Sequence, residues 1–263
     1  MERGTARTRR TSGSVRAVER SLAILGTFTL DHSERGLDEI SDLIHLPKST
    51  THRLLQTLVG TGFVDLGRRH GAYRLGLQAA TVGRIAALDR RPEEGVFEAM
   101  RALRDETDEA VGLSVLRNDT IVIVAKEMSR HPLSYNLGVG ATLPAYCTAS
   151  GKVLLADLSD SGIDRLYPDG RLMAHTSRTV SAVSKLKVHL KQIRDRGYAI
   201  DNEELAEGLR CIAVPIRDPI GRATHALAVS APSARLTMER LRDLIEPLTS
   251  AASQISLHMS LAA

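Results

Sequence analysis

The sequence predicts an α+β chain in two parts. A small helical unit closed by a β-hairpin comes first. A linker helix follows, and then an antiparallel sheet covered by helices. Three observations point there. Apolar residues recur at helical spacing through residues 14–59. Two short apolar segments then flank a glycine-bounded basic tip, Gly67-Arg68-Arg69-His70-Gly71. From residue 93 onward, strand-like segments joined by turn residues are grouped apart from amphipathic helices.

In order, residues 1–13 are rich in Arg, Thr, Ser and Gly and are expected to be a disordered basic arm. A first helix is predicted from Val15 to Phe28, with Val15, Val18, Leu22 and Leu25 on one stripe. Residues 31–36 read as a loop. A short second helix runs from Asp38 to Ile44. After a tight break at His45-Leu46-Pro47, a third helix starts with Pro47 in its first position and stops at Gly60. Phe63–Leu66 and Ala72–Leu75 form the hairpin, and Leu77–Leu88 the linker helix. The expected domains are therefore 14–76, a linker at 77–91, and 92–263.

In the larger domain, Glu93–Glu109 reads as a helix. Val111–Leu116 and Thr120–Ala125 read as strands around Asn118-Asp119, and Leu133–Leu137 as a further strand. Thr148–Leu158 and Val183–Arg196 read as helices. Tyr198–Ile200, Cys211–Ile216 and Ala223–Ser230 read as strands, the last two joined by a turn at Asp218-Pro219-Ile220-Gly221. A closing helix, Leu236–Leu257, is expected to kink at Pro247.

Composition narrows the function classes. The 263 residues carry a net charge of +4, but residues 1–91 hold 15 Lys/Arg against 9 Asp/Glu and the remainder 20 against 22. The basic excess sits in the N-terminal third, where it suits a polyanion through phosphate neutralisation. No apolar run approaches the ~20 residues that span a bilayer. The basic N-terminus has no apolar stretch behind it, so it is no secretory signal. Cys147 and Cys211 lie far apart, which fits a reducing cytoplasm.

The third helix has two faces. Thr51, Leu54, Leu55 and Leu58 define a buried side, and Ser49, Arg53 and Gln56 the opposite one, flanked by His52. Arg and Gln suit bidentate contacts with guanine and adenine edges in the major groove. Lys48 and Ser49, near the helix N-terminus, are placed for phosphate. Helix, short helix, tight break, polar-faced helix and basic hairpin, in that order, are the pattern of a winged helix-turn-helix. The candidate DNA contacts are Lys48, Ser49, Thr50, His52, Arg53 and Gln56, with Arg68 and Arg69 on the wing and Arg7, Arg9 and Arg10 as a trailing arm.

The motifs also carry a family resemblance. Residues 14–25 (SVRAVERSLAIL) resemble the opening helix of IclR-type regulators, and residues 46–55 (LPKSTTHRLL) their recognition helix. Tyr73-Arg74-Leu75-Gly76 is similar to their post-wing signature. Residues 143–152 (LPAYCTASGK), 196–201 (RGYAID) and 208–215 (GLRCIAVP) continue the likeness, which spans roughly 14–258. One departure is His45, where relatives usually place Gly. The resemblance implies a GAF-like C-terminal domain that binds a small carboxylate effector, with contacts at Leu143, Ala149, Ser150, Asp201, Cys211 and Ser230. Small residues at Ala149-Ser150-Gly151 expose backbone N–H groups suited to a carboxylate. Cys211 also fits simple core, Ser150 a helix cap and Asp201 a turn. Members that bind small keto acids place a serine two residues before Ser230, where this chain has Ala228. Residues 143–148 look more like the branch regulating aromatic-acid catabolism, which favours an aromatic or larger acid.

Other motifs fail. Gly138-Val139-Gly140 lacks the third glycine of a dinucleotide fingerprint, and Ser150-Gly151-Lys152 is not a P-loop. Ser184–Lys187 matches S-x-x-K without its partner motifs. The histidines have no metal-ligand spacing, and Cys147 with His175 or His189 lacks an orienting third group. No cofactor, metal or catalytic residue is expected. The reading is a cytoplasmic, ligand-responsive regulator, a homodimer or tetramer on a near-palindromic DNA operator. Two rivals stay open: a small-acid enzyme that loses turnover on Cys147→Ala, and a ligand sensor that does not bind DNA.

Overall fold

The computed structural model describes residues 15–29, 32–89, 94–134 and 137–261. The expected basic arm and Arg90-Arg91-Pro92 lie outside them. The chain divides into two compact units, Met1–Arg91 and Pro92–Ala263.

The first unit contains α1 (Arg16–Leu25), β1 (Glu34–Gly36), α2 (Leu37–Leu43), α3 (Lys48–Gly60), β2 (Val64–Leu66), β3 (Ala72–Leu75) and α4 (Leu77–Asp89). Its core is Ile24, Ile40, Leu55, Leu58 and Val64. The predicted hairpin is present, but β1 joins it to give the antiparallel order β1-β3-β2. Residues 34–36, expected as loop, therefore form a strand, with Arg35 opposite Tyr73. Three residues are too few to display an alternation, so only the pairing partner identifies them. On α1, Ile24 is buried and Leu25 of the predicted stripe packs on the core, whereas Val15, Val18 and Leu22 are exposed. The helix ends at Leu25 and not at Phe28.

His45 adopts φ +52. The Leu46 N–H donates to Ser41 O (3.1 Å) and the His45 N–H to Asp42 O (3.3 Å). These two bonds form a Schellman closure of α2, in which the left-handed residue usually is Gly. The turn thus survives the histidine. Pro47 stands one residue before α3, and Gly60 is its last residue rather than its stop. The reversal is made at Gly62, φ +73.

The second unit contains α5 (Glu94–Thr107), β4 (Ala110–Arg117), β5 (Thr120–Glu127), β6 (Thr142–Pro144), a 3₁₀ turn (Ala145–Cys147), α6 (Ala149–Leu155), α7 (Asp160–Leu166), α8 (Val183–Arg196), β7 (Ala199–Asn202), β8 (Leu209–Arg217), β9 (Ala223–Pro232), α9 (Met238–Asp243) and α10 (Ile245–Leu261). Six strands form one antiparallel sheet in the order β6-β5-β4-β9-β8-β7. One face packs Met100, Leu103, Leu248 and Ile255 of α5 and α10 on Val111, Leu113, Val214 and Val229. The other packs Val153, Leu154, Leu186 and Leu190 of α6 and α8 on Ala199, Ala213, Ala226 and Ala228.

The antiparallel sheet covered by helices is as the sequence predicts, and so is the turn at 218–221, where the Asp218 N–H donates to Arg222 O (2.9 Å). Three expectations are corrected. Leu133, Ser134 and Leu137 are not in a strand, and β6 lies further on, at Thr142–Pro144. The Thr148 helix ends at Leu155, and α7 follows, started by the Ser159 hydroxyl accepting from the Gly162 N–H. The closing segment breaks at Leu244 into α9 and α10. Pro247 sits in the first turn of α10, where its missing N–H would have no helical partner in any case.

Candidate functional sites

The first site is the outward face of α3. Thr51, Leu55 and Leu58 are buried and Leu54 partly so. Lys48, Ser49, His52, Arg53 and Gln56 are exposed and Thr50 is intermediate. Among the described residues the Arg53 guanidinium has no ion-pair partner, so it is free to meet a ligand. Lys48 differs. Its Nζ contacts Asp38 Oδ2 at 2.8 Å, and that hydrogen bond raises its pKa. Both groups are well exposed, so the pair is weak and a phosphate can displace it.

Arg68 and Arg69 sit at the tip between β2 and β3, both exposed. The tip is pinned from β1. The Glu34 carboxylate accepts the backbone N–H of Arg68 (2.9 Å) and of Arg69 (3.3 Å). These bonds hold its pKa below the usual carboxylate value. The Arg69 guanidinium also donates to Glu34 O. The sequence reading missed Glu34 because β1 was missed.

The second site is a pocket between the sheet and α6, with about 530 Å³ of empty space including its mouth. Leu143, Ala149, Ser150, Asp201, Cys211 and Ser230, expected from the resemblance, all line it. Strand register brings three of them together: Asp201 lies opposite Cys211, Cys211 opposite Ser230, and Ser230 opposite Ala110. The next row holds Ala199, Ala213, Ala228 and Gly112. Ala199 and Ala213 are buried under α6 and α8, whereas Ala110, Gly112, Cys211, Ala228 and Ser230 line the pocket, whose floor is open because these residues are small. Thr148, not Ser150, caps α6, its hydroxyl accepting from the Gly151 N–H (3.1 Å). Asp201 is a strand residue rather than a turn residue.

Asp201 is fully buried. Its Oδ1 accepts the Glu204 N–H (2.7 Å) and the Leu205 N–H (3.4 Å), while Oδ2 has no protein partner. Burial pushes its pKa up to about 7. Behind it, buried Lys152 donates to Ile200 O (2.6 Å) and pairs with Glu204. The pocket therefore presents an orphaned acceptor that becomes a donor when protonated.

Lys126 was missed. Alternation along β5 puts Ile121 and Ile123 on the pocket side, and strict period 2 would turn Lys126 away. A bulge intervenes: Ser114 pairs with Ile123 but Leu113 with Ala125, leaving Val124 extra. Beyond it the parity flips. Ala125 packs in the α5–α10 core and Lys126 lines the pocket.

Catalytic chemistry finds no support here. Cys147 is buried, its thiol pushed up to about 12 by desolvation, so it is no nucleophile. His175 faces the Tyr146 hydroxyl (3.1 Å) rather than the thiol. Among the described residues no cluster of His, Cys, Asp and Glu could hold a metal.

Two family profiles match this chain: the IclR helix-turn-helix domain over residues 17–66 and the Bacterial transcriptional regulator IclR C-terminal domain over residues 95–257. The chain belongs to the IclR family. It is a DNA-binding transcriptional regulator with a ligand-binding C-terminal domain, and the family is not enzymatic. It is 34% identical to the HTH-type transcriptional regulator KdgR of Escherichia coli over 229 residues, covering 87% of each chain. Identity to the E. coli transcriptional repressor IclR is 32% over 248 residues, 94% of this chain and 90% of that one. Among solved structures, a regulator from a Rhodococcus species is 29% identical with a TM-score of 0.77, covering 95% of this chain and 100% of the other. An IclR homologue of Microbacterium hydrocarbonoxydans complexed with 4-hydroxybenzoate shares the fold at 23% identity, with a TM-score of 0.77 over 94% of this IclR-family chain and 100% of that chain. No described helix is long and apolar enough to cross a membrane.

Proposed function

We propose that this regulator reads a near-palindromic operator as a homodimer, or a pair of dimers, and that a small carboxylic acid bound in the second unit sets its operator affinity. On α3, Arg53 and Gln56 contact base edges, with Ser49 and His52 beside them. Lys48, Thr50, Arg68 and Arg69 hold phosphates. One observation carries the effector reading: the six expected contacts line a single pocket whose floor is emptied by small residues.

Ala228 on that floor favours an aromatic or larger acid over a small keto acid. A serine there would add a hydroxyl worth about 1–3 kcal/mol when buried. Dimerisation through the first unit is supported by exposed apolar side chains, Val15, Val18 and Leu22 on α1 and Leu77, Val82 and Ile85 on α4. Mobility-shift assays on the DNA flanking the gene, with and without a panel of aromatic and keto acids, test the whole reading. No sequence preference would refute the DNA assignment. Calorimetry without heat from any acid would refute the effector assignment.

A further inference from the structure

Among the described residues the effector pocket proposed above has one cationic wall group, and it is a residue that alternation alone would have placed on the other face. Lys126 lines the pocket beside Gly112, its cross-strand partner. Its ammonium donates to Leu137 O (2.8 Å), which fixes the side chain's course. The group is half-buried, burial lowers its pKa, and it lines the same pocket as Ser230 and Cys211. Asp201, the one acidic wall residue among those described, stands on β7, four strand spacings from β5. At ~4.8 Å per spacing their backbones are roughly 19 Å apart. The pocket is thus a slot with a cation toward one end, a protonatable carboxyl at the other, and Ser230 and Cys211 between.

We infer that Lys126 is a specificity-determining residue: it supplies the positive charge that selects an anionic effector, and the β5 bulge is the device that turns it inward. The inference rests on the pocket being the effector site. A half-buried ammonium is poorly compensated by water, so an incoming carboxylate gains a charge-assisted hydrogen bond there that a neutral isostere cannot match. Asp201 then faces the opposite end of the ligand, where a hydroxyl or other donor meets its orphaned oxygen.

The test is calorimetric titration of the full chain with benzoate, 4-hydroxybenzoate and pyruvate, each beside its uncharged amide. Wild type should bind at least one acid tighter than its amide by about tenfold or more. Lys126→Met should erase that preference by weakening the acid while leaving the amide unchanged, and Lys126→Arg should keep most of it. Thermal unfolding confirms that both variants fold. An unchanged acid-to-amide ratio in Lys126→Met overturns the Lys126 assignment and leaves the pocket reading standing. Absence of binding by every acid to wild type overturns the pocket reading and this inference with it.

Discussion

The two units place their chemistry oppositely. In the first, the residues that would meet DNA are exposed and stand on a small core centred on Leu55 and Ile40. In the second, the residues that would meet a ligand are buried or half-buried inside the element packing, between β-strand rows and α6. A surface site can be altered without disturbing the core beneath it. A pocket built from strand register cannot, because the groups that shape it also hold the sheet and helix together. The DNA face should therefore separate affinity from stability, and the pocket should couple them.

The largest expected effect tests the coupling. A Cβ at Gly151 would overlap the backbone of Ala145. Gly151→Ala should destabilise the second unit by upward of about 3 kcal/mol and abolish ligand heat. Thermal unfolding and calorimetry on one sample would show it, and a stable variant that binds normally would break the comparison.

Asp201→Asn comes next. The folded pKa of Asp201, about 7, lies above the ordinary aspartate value of 3.8. Its contribution is fully present below pH ~4 and is lost as pH rises toward 7, by at most a few kcal/mol. Above that the dependence is flat. The variant should flatten the fall in Tm between pH 4 and 7 and exceed wild type at pH 8; equal slopes would show that Asp201 does not titrate in this window.

On the other unit, Arg53→Ala should weaken operator binding by about 1–3 kcal/mol, roughly 5- to 150-fold, and relax base preference at one position. Its Tm should match wild type, and a fall of several degrees would mean the face is structural. Arg69→Ala should give the smallest effect, lowering the salt slope of operator binding by about one without changing sequence preference. Lys48→Ala should cost less than Arg53→Ala, because Asp38 already holds that ammonium in the free protein.

Local pattern carried the first unit far. The buried and exposed sides of α3 and the basic hairpin follow from residue spacing and backbone preference within a few turns of chain, while His45 was marked only as a departure from the family's glycine. The exceptions are instructive. On the α1 stripe Val15, Val18 and Leu22 are apolar yet exposed, whereas Leu25 packs on the core. An apolar stripe marks a surface to be covered without saying whether the cover is this chain's core or another molecule. In the second unit, the long strands were legible, β6 was not, and the site was named through family resemblance, not pattern.

What the sequence determined by itself is what helical period, turn chemistry and charge can encode locally: two units, a polar-faced third helix with Arg53 and Gln56 on it, and strands joined by turns. What only the tertiary structure decided is which residues from distant strands share a row. Asp201, Cys211 and Ser230 meet because β7, β8 and β9 pair in one register. Lys126 joins them because a single extra residue at Val124 inverts the alternation of β5. Such an inversion changes no residue's own preference. It exists only in the pairing of one strand with its neighbour, so the chain's local pattern cannot announce it.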